Sequence, residues 1–281
     1  MSPAQTRLRL VICSVFAIAF GLITSVAHAQ VPKKVINAQT ITAYPPWSFK
    51  DPATNKVTGF DIDTLNAAAG KVGLEINWIE TSFPQLISFA ALKTGQSDMT
   101  GSGMVASPER QQTVNFVNYA YEPQYIYTLR DGEHPKTPED VCGKRVAVTR
   151  SSVFMNDGVR IWSDEYCVKA GKPAAIIVTS DSGGQSQLML NQGRVEAAIL
   201  GGGGLTYQNS LEGNKYVILG KHAGIKPMYG WAFRKDDVQL TEIVKKGLTA
   251  IIADGTYDRL LRKWYMTEDF SIGKAMINGK P

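Results

Sequence analysis

Cysteine, histidine and runs of basic charge are what this chain has least of. Three cysteines and three histidines stand among 281 residues. Cys13 and His28 fall in an N-terminal leader, so only Cys142, Cys167, His134 and His222 remain for the folded protein. A metal site would want for ligands, and no cofactor is expected. The 30 lysines and arginines nearly balance 25 aspartates and glutamates and never cluster. That argues against nucleic acid as a partner. Nothing repeats at a solenoid period, and no serine or cysteine sits in an evident nucleophile-base arrangement.

What is present begins with export. Arg7 and Arg9 precede an apolar run over residues 10–26, followed by Ala27-His28-Ala29, a small-x-small cleavage site. Residues 1–29 therefore read as a secretory signal peptide rather than a membrane anchor, because the run contains Ser14 and Ser25 and ends in a processing site. Processing leaves 252 residues with a net charge of +3, enough for one large or two medium cores. In the oxidising compartment this implies, Cys142 and Cys167 most simply form one disulfide.

The stretch Gly101-Ser102-Gly103-Met104-Val105-Ala106-Ser107-Pro108-Glu109-Arg110 reads as a strand end turning into a helix. Ser107 is a good N-cap and Pro108 suits the first helical position. Free backbone N–H groups and the Arg110 guanidinium could then share an anion-binding corner, with Gly101 and Gly103 allowing close approach. Taken alone, the same ten residues fit a capped surface helix with an ordinary salt bridge.

Around it the chain alternates. Strands are predicted over residues 34–42 and 74–80, with helices from Asp61 and over 82–93. Asp61 and Asp63 read as first-turn partners of the helix dipole rather than a catalytic pair. The loop Ala43-Tyr44-Pro45-Pro46-Trp47 holds two aromatics stiffly. Past residue 130 a second series begins: strand 145–149, helix 154–170, strand 175–179, helix 185–191 and strand 195–200. Helices follow at 241–254 and 257–264. The order implies α/β units with parallel sheets and ligand crevices at the strand carboxyl ends, where Arg110, Ser151, Ser152 and the run Gly201 to Gly204 all fall. Read alone, the four glycines are a flexible turn.

Tyr44-Pro45-Pro46-Trp47-Ser48-Phe49, Gly59-Phe60-Asp61-Ile62-Asp63, Glu80-Thr81-Ser82-Phe83, Ser102-Gly103-Met104, Ser107-Pro108-Glu109-Arg110, Gly143-Lys144-Arg145-Val146, Gly193-Arg194-Val195-Glu196-Ala197 and Ala253-Asp254-Gly255-Thr256-Tyr257 occur in that order over nearly all of the processed chain. In this the sequence resembles the periplasmic solute-binding proteins of ABC importers, in particular the polar amino acid family. The resemblance implies an α/β, two-lobed periplasmic binding protein fold of type II, with two crossing strands as hinge. Lobe 1 would comprise residues 30–124 and 229–281, lobe 2 residues 125–228, with crossings near 121–127 and 227–231. It further implies a periplasmic, monomeric, non-enzymatic protein that closes on a small-molecule ligand and docks on a membrane permease. Arg110 would hold the ligand carboxylate with the N–H groups of Val105 and Ser152. The Gly103 carbonyl would accept from an amino group, and Tyr44, Trp47 and Phe83 would line the side-chain pocket. The Cys142–Cys167 pair is similar to a lobe 2 disulfide found in a subgroup.

Departures from the pattern bear on the ligand. Val105 stands where a hydroxyl is usual, Ser151-Ser152 where Gly-Thr is usual, and Gly201 where an acidic residue normally pairs with the ligand ammonium. A buried ammonium without a counter-charge is costly. Either another carboxylate supplies it or the ligand is a different organic anion. Arg150 is either a second anion clamp or a solvated strand residue, of which the second is preferred. The rival from another class, an exported cyclohexadienyl-dehydratase-like enzyme, would want an acidic group in the lobe 2 crevice. Residues 200–205 offer none.

Overall fold

Apolar alternation along Lys34–Thr40 buries Ile36 and Ala38 and makes this an internal strand of a mixed sheet. The computed structural model describes residues 34–280, so the leader expected over residues 1–29 lies outside them. Lys34–Thr40 pairs in parallel with Leu74–Glu80 on one side and Met99–Thr100 on the other. Beyond Met99–Thr100 the sheet continues antiparallel through Met228–Arg234, Val114–Tyr121 and Met276–Ile277, with Met104–Val105 also on Met228–Arg234. Helices Phe60–Lys71 and Val238–Ala253 pack together at this sheet.

A second sheet has five strands in the order Ile176–Ser180, Arg145–Thr149, Ala197–Gly201, Gln124–Leu129, Tyr216–Ile218. Its first three strands are parallel, and Gln124–Leu129 runs against Ala197–Gly201. Helices Val153–Tyr166 and Gly183–Asn191 connect the parallel strands. The chain passes from the first sheet to the second at Glu122-Pro123, between Val114–Tyr121 and Gln124–Leu129, and returns between Tyr216–Ile218 and Met228–Arg234. The passages lie side by side, for the Glu122 N–H donates to the Pro227 carbonyl at 2.8 Å. The Cys142–Cys167 disulfide is formed, joining the end of the Pro138–Val141 turn to the end of helix Val153–Tyr166.

Two elements depart from expectation. The single helix expected over residues 82–93 is two, Phe83–Ser88 and Ala90–Lys93, broken at Phe89 with φ 55°. The Ser88 hydroxyl explains the break: it donates to the Gln85 carbonyl and accepts the Ala90 N–H, competing with the helical ladder. The break drops the Phe89 ring among Leu86, Leu92 and Phe116. The glycine run is no flexible turn. Helix Gly202–Leu211 starts within it, and its first two glycines face closely packed groups. A β-carbon at Gly202 would fall 2.7 Å from the Tyr125 ring and one at Gly203 2.7 Å from Trp47 Nε1.

Helix packing at the first sheet is equally close. A β-carbon on Gly247 would fall 2.2 Å from the Ala68 carbonyl oxygen, a backbone atom that cannot swing aside. Gly247→Ala should gain about 1 kcal/mol in helix propensity yet lose about 1–3 kcal/mol to overpacking. The expected outcome is a lower urea midpoint at unchanged m-value; a midpoint at or above that of the parent chain would show that the two helices separate freely.

Candidate functional site

The corner predicted at residues 101–110 forms from its local signals. The Ser107 hydroxyl accepts the Arg110 N–H at 3.3 Å, Pro108 opens helix Pro108–Thr113, and the Arg110 guanidinium turns back to donate from Nη1 to the Val105 carbonyl at 2.9 Å. That bond aims the side chain. Arg110 makes no ion pair among the described residues, and burial pulls its pKa below the usual arginine range. Glu109 lies next to it on the same cleft but makes no ion pair with it, which leaves the guanidinium open to a further anion.

Behind the corner stands Asp61. Fully buried at the start of helix Phe60–Lys71, it accepts the Gly103 N–H at 2.6 Å and a short bond from the Tyr119 hydroxyl. It stands in the first turn as expected and is in addition a buried structural acceptor; Asp63, also in that turn, meets Lys263 and Trp264 Nε1. Gly103 must lack a side chain, since a β-carbon there would lie 2.7 Å from the Tyr229 ring. Tyr229 in turn shares a 2.8 Å hydroxyl–hydroxyl bond with Tyr44.

These groups enclose a cleft. One part, of about 540 Å³, is walled by Tyr44, Phe83, Gly103, Val105, Arg110 and Tyr229. An adjoining part of about 300 Å³ is walled by Ser152, Gly201, Glu122 and Gln124 among others, and Tyr44, Val105, Phe154 and Tyr229 line both. Ser152 caps helix Val153–Tyr166, its hydroxyl accepting the Met155 N–H. Of the residues expected at a site, Tyr44, Phe83, Gly103, Val105, Arg110, Ser152 and Gly201 come together here.

Two do not. Trp47 is a correction: it is 0 % exposed and lies behind the cleft wall, its ring 4.7 Å from that of Tyr229 and 5.7 Å from that of Phe60. An indole of that size gains more from full burial between aromatic rings than from a place at the rim. Ser151 is exposed and lines neither part, the turn after Arg145–Thr149 directing Ser152 inward in its stead. Arg150 points to solvent, its side chain 70 % exposed and 3.7 Å from Asp181, as preferred from the sequence.

The residue that sequence reasoning missed is Glu122. It is 3 % exposed; Oε1 accepts the Gly203 N–H at 3.3 Å, and Oε2 is buried without a partner. Burial pushes its carboxyl well above the usual range, with the nearby Asp61 adding to the rise. Its neighbour Gln124 donates from Nε2 to the Glu122 carbonyl and leaves its own Oε1 unpartnered. The available signal was an acidic residue set against a proline between two apolar extended segments.

The family described as bacterial extracellular solute-binding proteins, family 3, matches residues 36–267. A probable histidine-binding protein of Campylobacter jejuni is 31 % identical over 80 % of this chain and 82 % of its own. The arginine-binding protein ArgT of Corynebacterium glutamicum is 26 % identical over 90 % of this chain and 83 % of its own. Among solved structures, substrate binding domain 2 of Lactococcus lactis GlnP, in an open conformation, superposes with a TM-score of 0.71 at 24 % identity, covering 84 % of this chain and 97 % of that one. The fold is the two-lobed one of type II.

Burial raises Asp61 to about 7, against the bonds from Tyr119 and Gly103 that oppose the rise. A carboxyl whose pKa is higher folded than unfolded binds more protons in the native state between the two values, so stability falls as pH rises from about 4 to about 7. Asp61→Asn should flatten that part of the curve, leaving a smaller slope from Glu122, when urea midpoints are compared across the window. Parallel curves for the two proteins would mean that Asp61 keeps one charge state throughout.

Proposed function

Because the chain belongs to the bacterial extracellular solute-binding proteins of family 3, we propose that it captures an amino acid or a close derivative in the cleft beside Arg110 and delivers it to the membrane permease of an ABC importer. The observation that carries this reading is the Arg110 guanidinium, held in place by the Val105 carbonyl and lining an aromatic-walled cleft without an ion pair to any described carboxylate. A ligand carboxylate completes it, with two parallel charge-assisted bonds available and the Val105 N–H as a further donor, whereas the Ser152 N–H expected beside it is taken by the Thr149 carbonyl at 3.0 Å. Tyr44, Phe83 and Tyr229 flank the ligand side chain, and the Gly103 carbonyl accepts from its amino group.

On this reading the lobes are residues 30–124 with 229–281 and residues 125–228, and they close about the adjacent passages at Glu122-Pro123 and Pro227. The protein works as an exported monomer after loss of residues 1–29, with no nucleic acid partner. Among the described residues no helix is long and apolar enough to cross a membrane. Binding without catalysis is supported by Ser102, whose hydroxyl is buried and engaged with Thr40, Ser48 and the Ile41 N–H rather than activated by a base. The relatives that bind arginine and histidine make those two the first candidates, with glutamine and cystine next.

A thermal-shift screen of residues 30–281 against L-arginine, L-histidine, L-glutamine, L-cystine, dicarboxylates and other small organic acids tests the proposal. At a hundred times its dissociation constant a true ligand stabilises by about 2.7 kcal/mol, a rise of several degrees for a chain of this size. Arg110→Ala should weaken binding by roughly 30-fold or more, since it strips the partner from a desolvated carboxylate. A ligand that binds the variant as tightly as the parent would remove Arg110 from the role given to it here.

A further inference from the structure

Building on the amino acid reading, we infer that Glu122 is the counter-charge for the protonated amine of the ligand, reaching from the strand passage into the space that a side chain at position 201 would fill. The fit between the two positions is steric. A β-carbon on Gly201 would lie 2.3 Å from Glu122 Oε1 and 3.3 Å from its Cδ. Gly201 is therefore the room that the Glu122 carboxyl requires, and the two residues are alternatives for one volume at the wall of the cleft.

The carboxyl is set up to receive a donor. One oxygen is fixed by the Gly203 N–H, while the other is buried with no partner in a part of the cleft that Glu122 itself lines. An unsatisfied buried acceptor costs more than an average hydrogen bond returns, so its retention marks a group that is completed from outside. No lysine or arginine among the described residues pairs with it; nearby Lys226 is taken by Asp269. Cationic donor chemistry is what this oxygen lacks. Arg110 lines the other part of the same cleft. A ligand bearing a carboxylate and an ammonium meets one charge of each sign, whereas one with only anionic groups would set a carboxylate towards Glu122. This removes the main argument that Gly201 offered for a ligand without an amine.

The test is calorimetric titration of the parent chain, Glu122→Gln, Glu122→Ala and the double variant Glu122→Ala/Gly201→Asp. The probes are L-arginine, L-histidine and L-glutamine, each beside its analogue with hydrogen in place of the α-amino group, with Arg110→Ala as reference. The parent should prefer the best-bound amino acid to its deaminated analogue. Glu122→Gln should weaken that amino acid roughly 30-fold or more and leave the analogue's affinity unchanged or improved. The double variant, with the carboxylate moved across the vacated space, should recover at least about tenfold over Glu122→Ala. If Arg110→Ala abolishes binding but Glu122→Gln binds amino acid and analogue as the parent does, the inference falls and the amino acid reading stands. If no probe binds the parent chain, that reading fails and the inference falls with it.

Discussion

The bonds at Asp61 are the constraint on which the rest of the site depends. Its carboxylate reaches from the first turn of helix Phe60–Lys71 to the Gly103 N–H and the Tyr119 hydroxyl, joining helix, corner and a central strand at one buried point. Tyr119 stacks on Trp231 with ring centroids 4.4 Å apart, and its own carbonyl accepts from the Tyr257 hydroxyl. The corner that carries Arg110 is thereby referenced to the core and not to a loop. A guanidinium on a long side chain loses about 2 kcal/mol of rotamer freedom when fixed; the Val105 carbonyl has already fixed much of it, so less is lost when a carboxylate arrives.

Close approach, more than polar side chains, shapes the cleft. Gly103 admits the Tyr229 ring, Gly201 admits the Glu122 carboxyl and Gly203 admits Trp47. Each glycine is defined by a residue distant in sequence. The Gly203 N–H and Glu122 Oε1 are 81 positions apart, and the Tyr44 and Tyr229 hydroxyls 185. That distance explains what could and could not be read from the chain. The Ser107 cap, Pro108 at the first turn and the alternation of residues 74–80 are local signals, and all three elements form where the pattern put them. The outward turn of Arg150 was also legible, as a strand-end charge next to polar residues.

The failures share a cause. The family resemblance puts Trp47 in the cleft, while the stiff loop alone is compatible with cleft or core, and only the rings of Phe60, Tyr229 and Phe270 decide that it is core. Phe89 breaks a helix whose periodicity is unbroken, because a serine hydroxyl one residue earlier competes for the backbone and a pocket among Leu86, Leu92 and Phe116 rewards the bend. The glycine run looked like slack because an absent side chain carries no pattern. Its meaning lies in what occupies the vacated space: Glu122 at Gly201, Tyr125 at Gly202 and Trp47 at Gly203, all distant in sequence.

The same passages give the cleft a reason to respond to its ligand. Trp47 Nε1, Glu122 Oε2 and Gln124 Oε1 are buried without partners at or beside the place where the chain passes from one sheet to the other. Unmet hydrogen-bonding capacity concentrated there is costly until a partner meets it. A ligand can shift an arrangement of lobes only by the difference between its affinities for the two states. On the proposed reading that difference arises because Arg110 belongs to the first sheet's side, Ser152 to the second, and Glu122 to the link between them, so that one zwitterion meets all three only when they converge.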